Sequence, residues 1–144
     1  MGEVGRITIV IADDHTVVRQ GVRRILEADE DLDVVGEAGD GLAAVELVRV
    51  LRPHVVLMDV GLPLRNGYDA AKLIREEPWG TRMVLIALTG WGQEQDRKRS
   101  HEAGFDHHLV KPVDPKALMT LVSDLFHKER RGLPARVEPS IVRF

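Results

Sequence analysis

The sequence of 144 residues contains no cysteine, few aromatic residues and no long run of apolar residues. The absence of cysteine excludes disulfides, thiolate zinc sites and cysteine nucleophiles. No run reaches the ~18 apolar residues that mark a membrane-spanning helix, so we expect no membrane span. Aromatic residues make up 4% of the chain, so an aliphatic core is predicted.

Neither sign of charge dominates the composition. Lys and Arg number 20 and Asp and Glu number 23, which gives a formal net charge of −3. Binding of nucleic acid through a strongly basic surface is therefore not expected. The N-terminus is too short and too acidic for a secretory signal, and we expect a cytoplasmic protein. The length suits one ordinary domain.

Five short apolar runs recur along the chain and predict β-strands. Because they are unbroken rather than alternating, they are typical of strands that are covered on both faces, as in a parallel sheet. The predicted strands are Ile7–Ala12, Leu32–Val35, Val55–Met58, Met83–Leu88 and His108–Val110.

The segments between these runs have the apolar spacing of helices. Asp114 and Pro115 are a typical cap and first residue for the last helix, and Pro53 and Gly104 predict the ends of the second and fourth helices. The fourth, Gln93–Ala103, is polar all round and predicts a weakly held helix. The alternation predicts an α/β fold, a (βα)5 doubly wound parallel sheet.

We assign residues 1–130 to this domain and residues 131–144 to a C-terminal extension or linker. Ligands of such sheets bind beyond the carboxyl ends of the strands. The residues that follow four of the predicted strands are Asp13 and Asp14, then Asp59, then Thr89, then Lys111.

These strand ends predict one pocket with three carboxylates, a hydroxyl and an ammonium. Crowded carboxylates repel each other unless a cation compensates. Oxygen ligands of this kind suit Mg²⁺, which binds one or two carboxylates together with phosphate oxygens. An Asp that keeps a free oxygen can attack phosphorus, and a lysine can neutralise the incoming phosphoryl group.

Four stretches carry a resemblance to a known family: ITIVIADDHTVVRQGV, VVLMDVGLPLRNGYD, LIALTG and HLVKPVD. The sequence resembles the response-regulator receiver domain of two-component signalling over about residues 6–128. The resemblance implies a flavodoxin-like sheet with the strand order 2-1-3-4-5. It also implies a phosphorylatable signalling switch rather than an enzyme, one that assists only its own phosphorylation and dephosphorylation.

The resemblance implies roles for the acidic residues. Asp59 resembles the phosphoacceptor, and Asp13 and Asp14 resemble the acidic pair that binds Mg²⁺ together with Asp59. The backbone carbonyl of Gly61 resembles a further protein ligand of the metal.

Thr89 resembles the switch hydroxyl of the family and Lys111 its phosphate-binding lysine, with a cis peptide bond expected between Lys111 and Pro112. His108 stands where the family often has Tyr or Phe, and we predict that its ring takes part in switching. Trp91 follows Thr89 closely, and we predict that it shields the phosphoryl group from water.

The partners that the resemblance implies are a histidine kinase or a histidine phosphotransfer protein, and an unknown downstream protein. The surface of the fourth helix, the fifth strand and the fifth helix is the predicted contact face, and a homodimer could form there. Three alternatives stay open. The first is a Mg²⁺-dependent aspartyl-phosphate phosphatase, and the second is a flavodoxin-like binding module or a receiver that has lost phosphorylation. The third is the receiver fragment of a longer DNA-binding regulator or hybrid kinase.

Overall fold

Strands and helices alternate along the chain in this computed structural model, which describes residues 6–90 and 94–132, with side chains for 6–90 and 97–125. The strands are β1 (Ile7–Ala12), β2 (Leu32–Ala38), β3 (Val55–Asp59), β4 (Val84–Thr89) and β5 (His107–Val110). The helices are α1 (Thr16–Glu27), α2 (Gly41–Leu51), α3 (Gly67–Glu76), α4 (Glu94–Ala103) and α5 (Pro115–Gly132), with a 3-10 turn at Pro78–Gly80.

The five strands form one sheet in the order β2-β1-β3-β4-β5, and every neighbouring pair is parallel. This confirms the predicted fold class and strand order. Among the described helices, none combines the length and the apolar character needed to cross a membrane.

Both faces of the sheet are buried. Residues of one strand alternate between two apolar clusters, so that Val56 and Met58 contact the cluster on the α2 and α3 side while Leu57 belongs to the cluster on the α1 and α5 side. All three are completely buried. This explains why the strands are unbroken apolar runs in the sequence.

Polar side chains fix the starts of three helices. Asp40 accepts a hydrogen bond from the amide of Ala43 at 2.7 Å, and Asn66 begins α3 in the same way. Asp114 accepts from the amide of Ala117 at 2.9 Å, which confirms the predicted cap of α5. Each cap satisfies an amide that has no partner within the helix.

The described contacts of helix α4 come from its later part, where Arg99 lies over the ring of Tyr68 in α3 at 4.2 Å. Ser100 and Ala103 are its buried residues in the part whose side chains are described. Arg75 of α3 donates to the carbonyl of Gly104 at 2.8 Å and lies 2.7 Å from the carboxylate of Asp106, both just beyond the helix. The weak attachment expected of such a polar helix stays a prediction, since the side chains of residues 94–96 lie outside those that are described.

The structure places α5 up to Gly132, past the predicted domain boundary at residue 130. Residues 133–144 lie outside the described residues, and the division of the chain into a domain and an extension stays a prediction.

Strand β2 is longer than the sequence predicted, because it continues through Gly36 and Glu37. Backbone pairing with β1 carries it on beyond the end of the apolar run, after a register shift at Ile9 and Val10. Glu37 is kept on the strand by α1: its carboxylate accepts from Arg19 at 2.9 Å and also from Arg23.

These two hydrogen bonds make the stability of the fold dependent on pH. The hydrogen bonds from Arg23 and then from Arg19 lower the pKa of Glu37 from its ordinary value of 4.5. A depressed carboxyl pKa contributes stability above the unfolded-state pKa, and this contribution is lost as the pH falls through the folded-state pKa. We expect Glu37→Gln to lower the free energy of unfolding at pH 7 by about 1 kcal/mol.

Urea unfolding at a series of pH values measures this effect. The difference in free energy of unfolding between wild type and Glu37→Gln should shrink towards zero below the folded-state pKa of Glu37. Glu46→Gln is the matched control, because Glu46 pairs with Arg49 on an exposed helix surface. Glu46→Gln should lower the free energy of unfolding at pH 7 by less than Glu37→Gln does. An equal effect of Glu37→Gln at pH 7 and in acid would contradict this account of the Glu37 contacts.

Candidate functional site

The carboxyl ends of three strands bring Asp13, Asp59 and Lys111 together. Asp13 follows β1 and is completely buried, and Asp59 ends β3 with 7% of its surface exposed. The ammonium nitrogen Nζ of Lys111, which follows β5, lies 2.7 Å from Oδ2 of Asp13 and 3.2 Å from Oδ2 of Asp59. Lys111 therefore neutralises part of the charge of two buried carboxylates at once.

The electrostatic balance around Lys111 favours its charged form. Burial acts to lower the pKa of Lys111, but the hydrogen bond to Asp13 and the charges of Asp59 and Asp13 outweigh burial, and the pKa is raised from 10.5. At neutral pH this side chain is an ammonium ion. It can attract the oxygens of an incoming phosphoryl group.

Asp14 and His15 extend the cluster towards solvent. The side chain of Asp14 is 38% exposed and that of His15 is 63% exposed. The ring nitrogen Nδ1 of His15 lies 3.0 Å from Oδ1 of Asp13 and 3.3 Å from Oδ1 of Asp14. The backbone amide of His15 also donates to Oδ1 of Asp13, at 2.9 Å. The loop after β1 therefore brings two carboxylates and one imidazole together at the carboxyl edge of the sheet.

The loop after β3 holds the side chain of Asp59 in place. The amide of Gly61 donates to Oδ1 of Asp59 at 3.0 Å, which leaves Oδ2 beside Lys111. The amide of Gly67 donates to the carbonyl of Val60 at 2.9 Å and closes the loop. A side chain at position 67 would place its Cβ 2.5 Å from the carbonyl oxygen of Asp59, so a glycine is needed there.

Thr89 lies at the end of β4 with 1% of its surface exposed. Its hydroxyl donates to the carbonyl of Leu109 in β5 in a long hydrogen bond of 3.5 Å, and its own carbonyl accepts from the amide of Lys111 at 2.9 Å. The hydroxyl is therefore weakly held and directly linked to the strand that carries Lys111.

The structure also shows where some of the other residues that were predicted for the site lie. The peptide bond between Lys111 and Pro112 is cis, as the resemblance implied. His108 is half-buried in β5 and pairs with Ala87 of β4. The roles of His108 and of the Gly61 carbonyl stay predictions. Trp91 lies outside the described residues.

Two residues of the site were not predicted. His15 reaches the carboxylates because α1 begins at the next residue and turns the ring back over the strand end. Arg19 donates to the carbonyl of Asp13 at 2.6 Å and so ties this loop to α1. The only sequence signal for His15 was its position next to the acidic pair, which by itself equally fits a helix cap.

The acidic cluster fits a divalent cation. Asp13, Asp14, His15 and Asp59 each offer one ligand atom, and these atoms lie within 4.8 Å of one another. Several carboxylate oxygens so close together repel, and a hard cation would relieve this. The Lys111 ammonium shares two of these carboxylates, so a metal ion and the ammonium would compete for their oxygens.

The family model of the response regulator receiver domain matches residues 9–123. Among curated proteins, the chain is 34% identical to the nitrate/nitrite response regulator protein NarP of Escherichia coli over 85% of the chain and 56% of that protein. It is 32% identical to the chemotaxis protein CheY of Halobacterium salinarum over 81% of the chain and 94% of that protein. The chain thus spans about half the length of some of its curated relatives.

Solved structures show the same similarity. The receiver domain of a putative response regulator NarL from Mycobacterium tuberculosis has a TM-score of 0.77 at 28% identity, covering 85% of this chain and 98% of that one. The receiver domain of a sensor histidine kinase from Pseudomonas aeruginosa has a TM-score of 0.75 at 28% identity with the same coverages, and its structure has a magnesium ion coordinated in the active site cleft.

Receivers are signalling domains rather than a classical enzyme family. They bind Mg²⁺ at an acidic pocket and receive phosphate from histidine kinases or phosphotransfer proteins, which favours the switch over the phosphatase alternative. Together with the strand order and the acidic cluster at the strand ends, the family match establishes that this chain belongs to the response regulator receiver family of two-component phosphorelay signalling.

Proposed function

We propose that this chain is a phosphorylation switch whose acceptor is Asp59. The observation that carries the proposal is the position of the Lys111 ammonium between Asp13 and Asp59, at 2.7 and 3.2 Å. A half-buried ammonium shared by two carboxylates supplies the positive charge that a phosphoryl group needs beside its acceptor.

The proposed reaction begins when a partner protein presents a phosphohistidine. An oxygen of Asp59 attacks phosphorus, the P–N bond breaks as the P–O bond forms, and the imidazole of the partner leaves as it takes up a proton. The amide of Gly61 holds Oδ1 of Asp59, which leaves Oδ2 on the side of Lys111. The product is an acyl phosphate. Attack of water on phosphorus then breaks the P–O bond to Asp59, releases inorganic phosphate and restores the carboxylate.

Mg²⁺ is the cofactor that we propose for this step, with Asp13, Asp14, Asp59 and the carbonyl of Gly61 as its protein ligands. When bound, it would neutralise charge on the phosphoryl oxygens and on the attacking carboxylate. Asp13 contributes a buried carboxylate fixed by the amide of His15, so its position does not depend on the incoming group.

Thr89 and His108 are the proposed switch residues. The hydroxyl of Thr89 makes a long hydrogen bond of 3.5 Å to the carbonyl of Leu109, so little is lost when it turns to a phosphoryl oxygen. That turn would free the carbonyl of Leu109, change the environment of the neighbouring His108 and shift the surface of α4, β5 and α5. The polar sequence of α4, which offers few apolar side chains for packing, supports such a shift.

The proposed partners are a histidine kinase or histidine phosphotransfer protein as phosphodonor and a downstream protein that recognises the α4-β5-α5 surface. A second copy of the chain is an alternative occupant of that surface. We propose a cytoplasmic location, where the phosphodonors of such relays are found, and no direct contact of the described domain with nucleic acid.

A second candidate is that the chain acts as the receiver portion of a longer regulator or hybrid kinase. The match to about half of the length of NarP favours this, whereas the match to nearly all of the Halobacterium CheY favours a receiver that acts alone. In both cases Asp59 is the proposed acceptor.

Asp59→Asn should abolish phosphorylation. Incubated with Mg²⁺ and acetyl phosphate, the wild type should gain the mass of one phosphoryl group and the variant none, because an amide oxygen does not form an acyl phosphate. Asp69→Asn is the control, since Asp69 is an exposed carboxylate on the first turn of α3. An equal adduct on the wild type and Asp59→Asn, or no adduct on the wild type, would sink the proposal.

Lys111→Met should separate phosphoryl transfer from metal binding. Methionine keeps much of the length of the side chain but removes the ammonium that competes for Asp13 and Asp59. We expect tighter Mg²⁺ binding by calorimetry and a rate of phosphorylation by acetyl phosphate that is lower by roughly tenfold or more. Weaker Mg²⁺ binding, or an unchanged rate, would contradict the role given to Lys111.

Thr89→Ala should uncouple phosphorylation from the structural response. The variant should still take up a phosphoryl group on Asp59, but the change in amide hydrogen exchange of α4 and β5 on phosphorylation should be lost. Thr89→Ser keeps the hydroxyl and should restore the change. A full response in Thr89→Ala would show that another group performs the switching.

A further inference from the structure

The imidazole of His15 has an unusual position for a residue that begins a helix. His15 is the N-cap residue of α1, yet its side chain makes no capping hydrogen bond. The ring turns instead towards the carboxylates, with Nδ1 at 3.0 Å from Asp13 and 3.3 Å from Asp14. A capping role therefore does not account for the orientation of this side chain.

A single hydrogen bond from Nδ1 also accounts poorly for the position of the His15 ring. One N–H group aligns well with one acceptor, whereas Nδ1 has two carboxylates of different residues at similar distances. Neighbouring ligands of an octahedral ion, each about 2.1 Å from the metal, lie about 3 Å apart. The distances from Nδ1 to Oδ1 of Asp13 and of Asp14 match this spacing.

A second observation at the same place points to a cation. Asp13 is completely buried, and in the described part of the chain its Oδ2 atom has no polar partner other than the Lys111 ammonium at 2.7 Å. Oδ1 of the same carboxylate faces His15. Three carboxylates with one ammonium leave two negative charges, which a divalent ion would balance.

We propose that Nδ1 of His15 is a direct ligand of a first-row transition-metal ion at this cluster, together with Asp13 and Asp14. The inference concerns the acidic cluster on which the proposed function also rests. Carboxylate oxygens suit Mg²⁺, whereas imidazole suits ions such as Co²⁺, Ni²⁺ and Zn²⁺, whose affinities exceed that of Mn²⁺ in the general order for divalent metals. His15 thus gives the site a selectivity that carboxylates alone do not provide.

Coordination by His15 would change which divalent ion the site prefers. Mg²⁺ gains little from an imidazole, so its binding depends mainly on the carboxylates. Co²⁺ gains from both, so it should bind more tightly than Mg²⁺ and displace it. The ring of His15 is 63% exposed, so an ion can reach Nδ1 from solvent without opening of the fold.

The test compares the binding of Co²⁺ and of Mg²⁺, each added alone, to wild type, His15→Ala and His15→Asn by calorimetry. We expect both variants to lose Co²⁺ affinity by roughly tenfold and Mg²⁺ affinity by less than about twofold. Asparagine can still donate a hydrogen bond to the carboxylates but offers no imidazole nitrogen. It should therefore restore the Co²⁺ affinity only if His15 acts through hydrogen bonding rather than as a nitrogen ligand.

His101→Ala is the matched control, because His101 is an exposed histidine of α4. It should bind Co²⁺ like the wild type. Proton NMR of the Co²⁺-loaded wild type gives a second readout that needs no variant to fold: one strongly shifted, solvent-exchangeable ring N–H signal is expected. The same signal should persist in His101→Ala and be absent from His15→Ala.

Equal losses of Co²⁺ and Mg²⁺ affinity in the His15 variants would overturn the proposal, as would full rescue by asparagine or the absence of the shifted signal in wild type. None of these measurements uses a phosphodonor. If the chain accepted no phosphoryl group, the proposed function would be overturned, but the binding of Co²⁺ and Mg²⁺ could still be compared. The failure of one proposal can therefore be distinguished from the failure of the other.

Discussion

The repulsion between carboxylates at the carboxyl edge of the sheet is the constraint on which the site depends. Asp13 and Asp59 are almost completely withdrawn from water, and such groups stay charged only with a cation beside them. Lys111 meets this need, at 2.7 Å from one and 3.2 Å from the other. Together with Asp14 the arrangement leaves excess negative charge, which under the proposed function a divalent cation would balance before a phosphoryl group arrives.

The fold supplies this arrangement through the parallel sheet. β1, β3 and β5 deliver Asp13, Asp59 and Lys111 to one edge, since all strands point in the same direction. Apolar packing on both faces fixes the strands, while the site residues are held by short local contacts. Under the proposed function, a change of charge at Asp59 would be passed through Thr89 and β5 towards α4 while the core stays intact.

Much of the fold could be predicted from the sequence, because unbroken apolar runs and helical spacing reflect burial on two faces. The positions of Asp13, Asp59 and Lys111 followed from the same reasoning. What the sequence did not predict depends on contacts between distant residues. Strand β2 continues past its apolar run because Glu37 meets Arg19 and Arg23 of α1. His15 joins the acidic cluster through the turn into α1, which no periodicity records.

The central claim is that Asp59 carries the phosphoryl group, and chemical trapping tests it most directly. Borohydride reduces an acyl phosphate of aspartate to homoserine, and peptide mass spectrometry then identifies the modified position in the unaltered chain. After incubation of wild type with Mg²⁺ and acetyl phosphate, the account predicts homoserine at position 59 and unmodified aspartate at positions 13 and 14. Homoserine at another position, or at none, would contradict it.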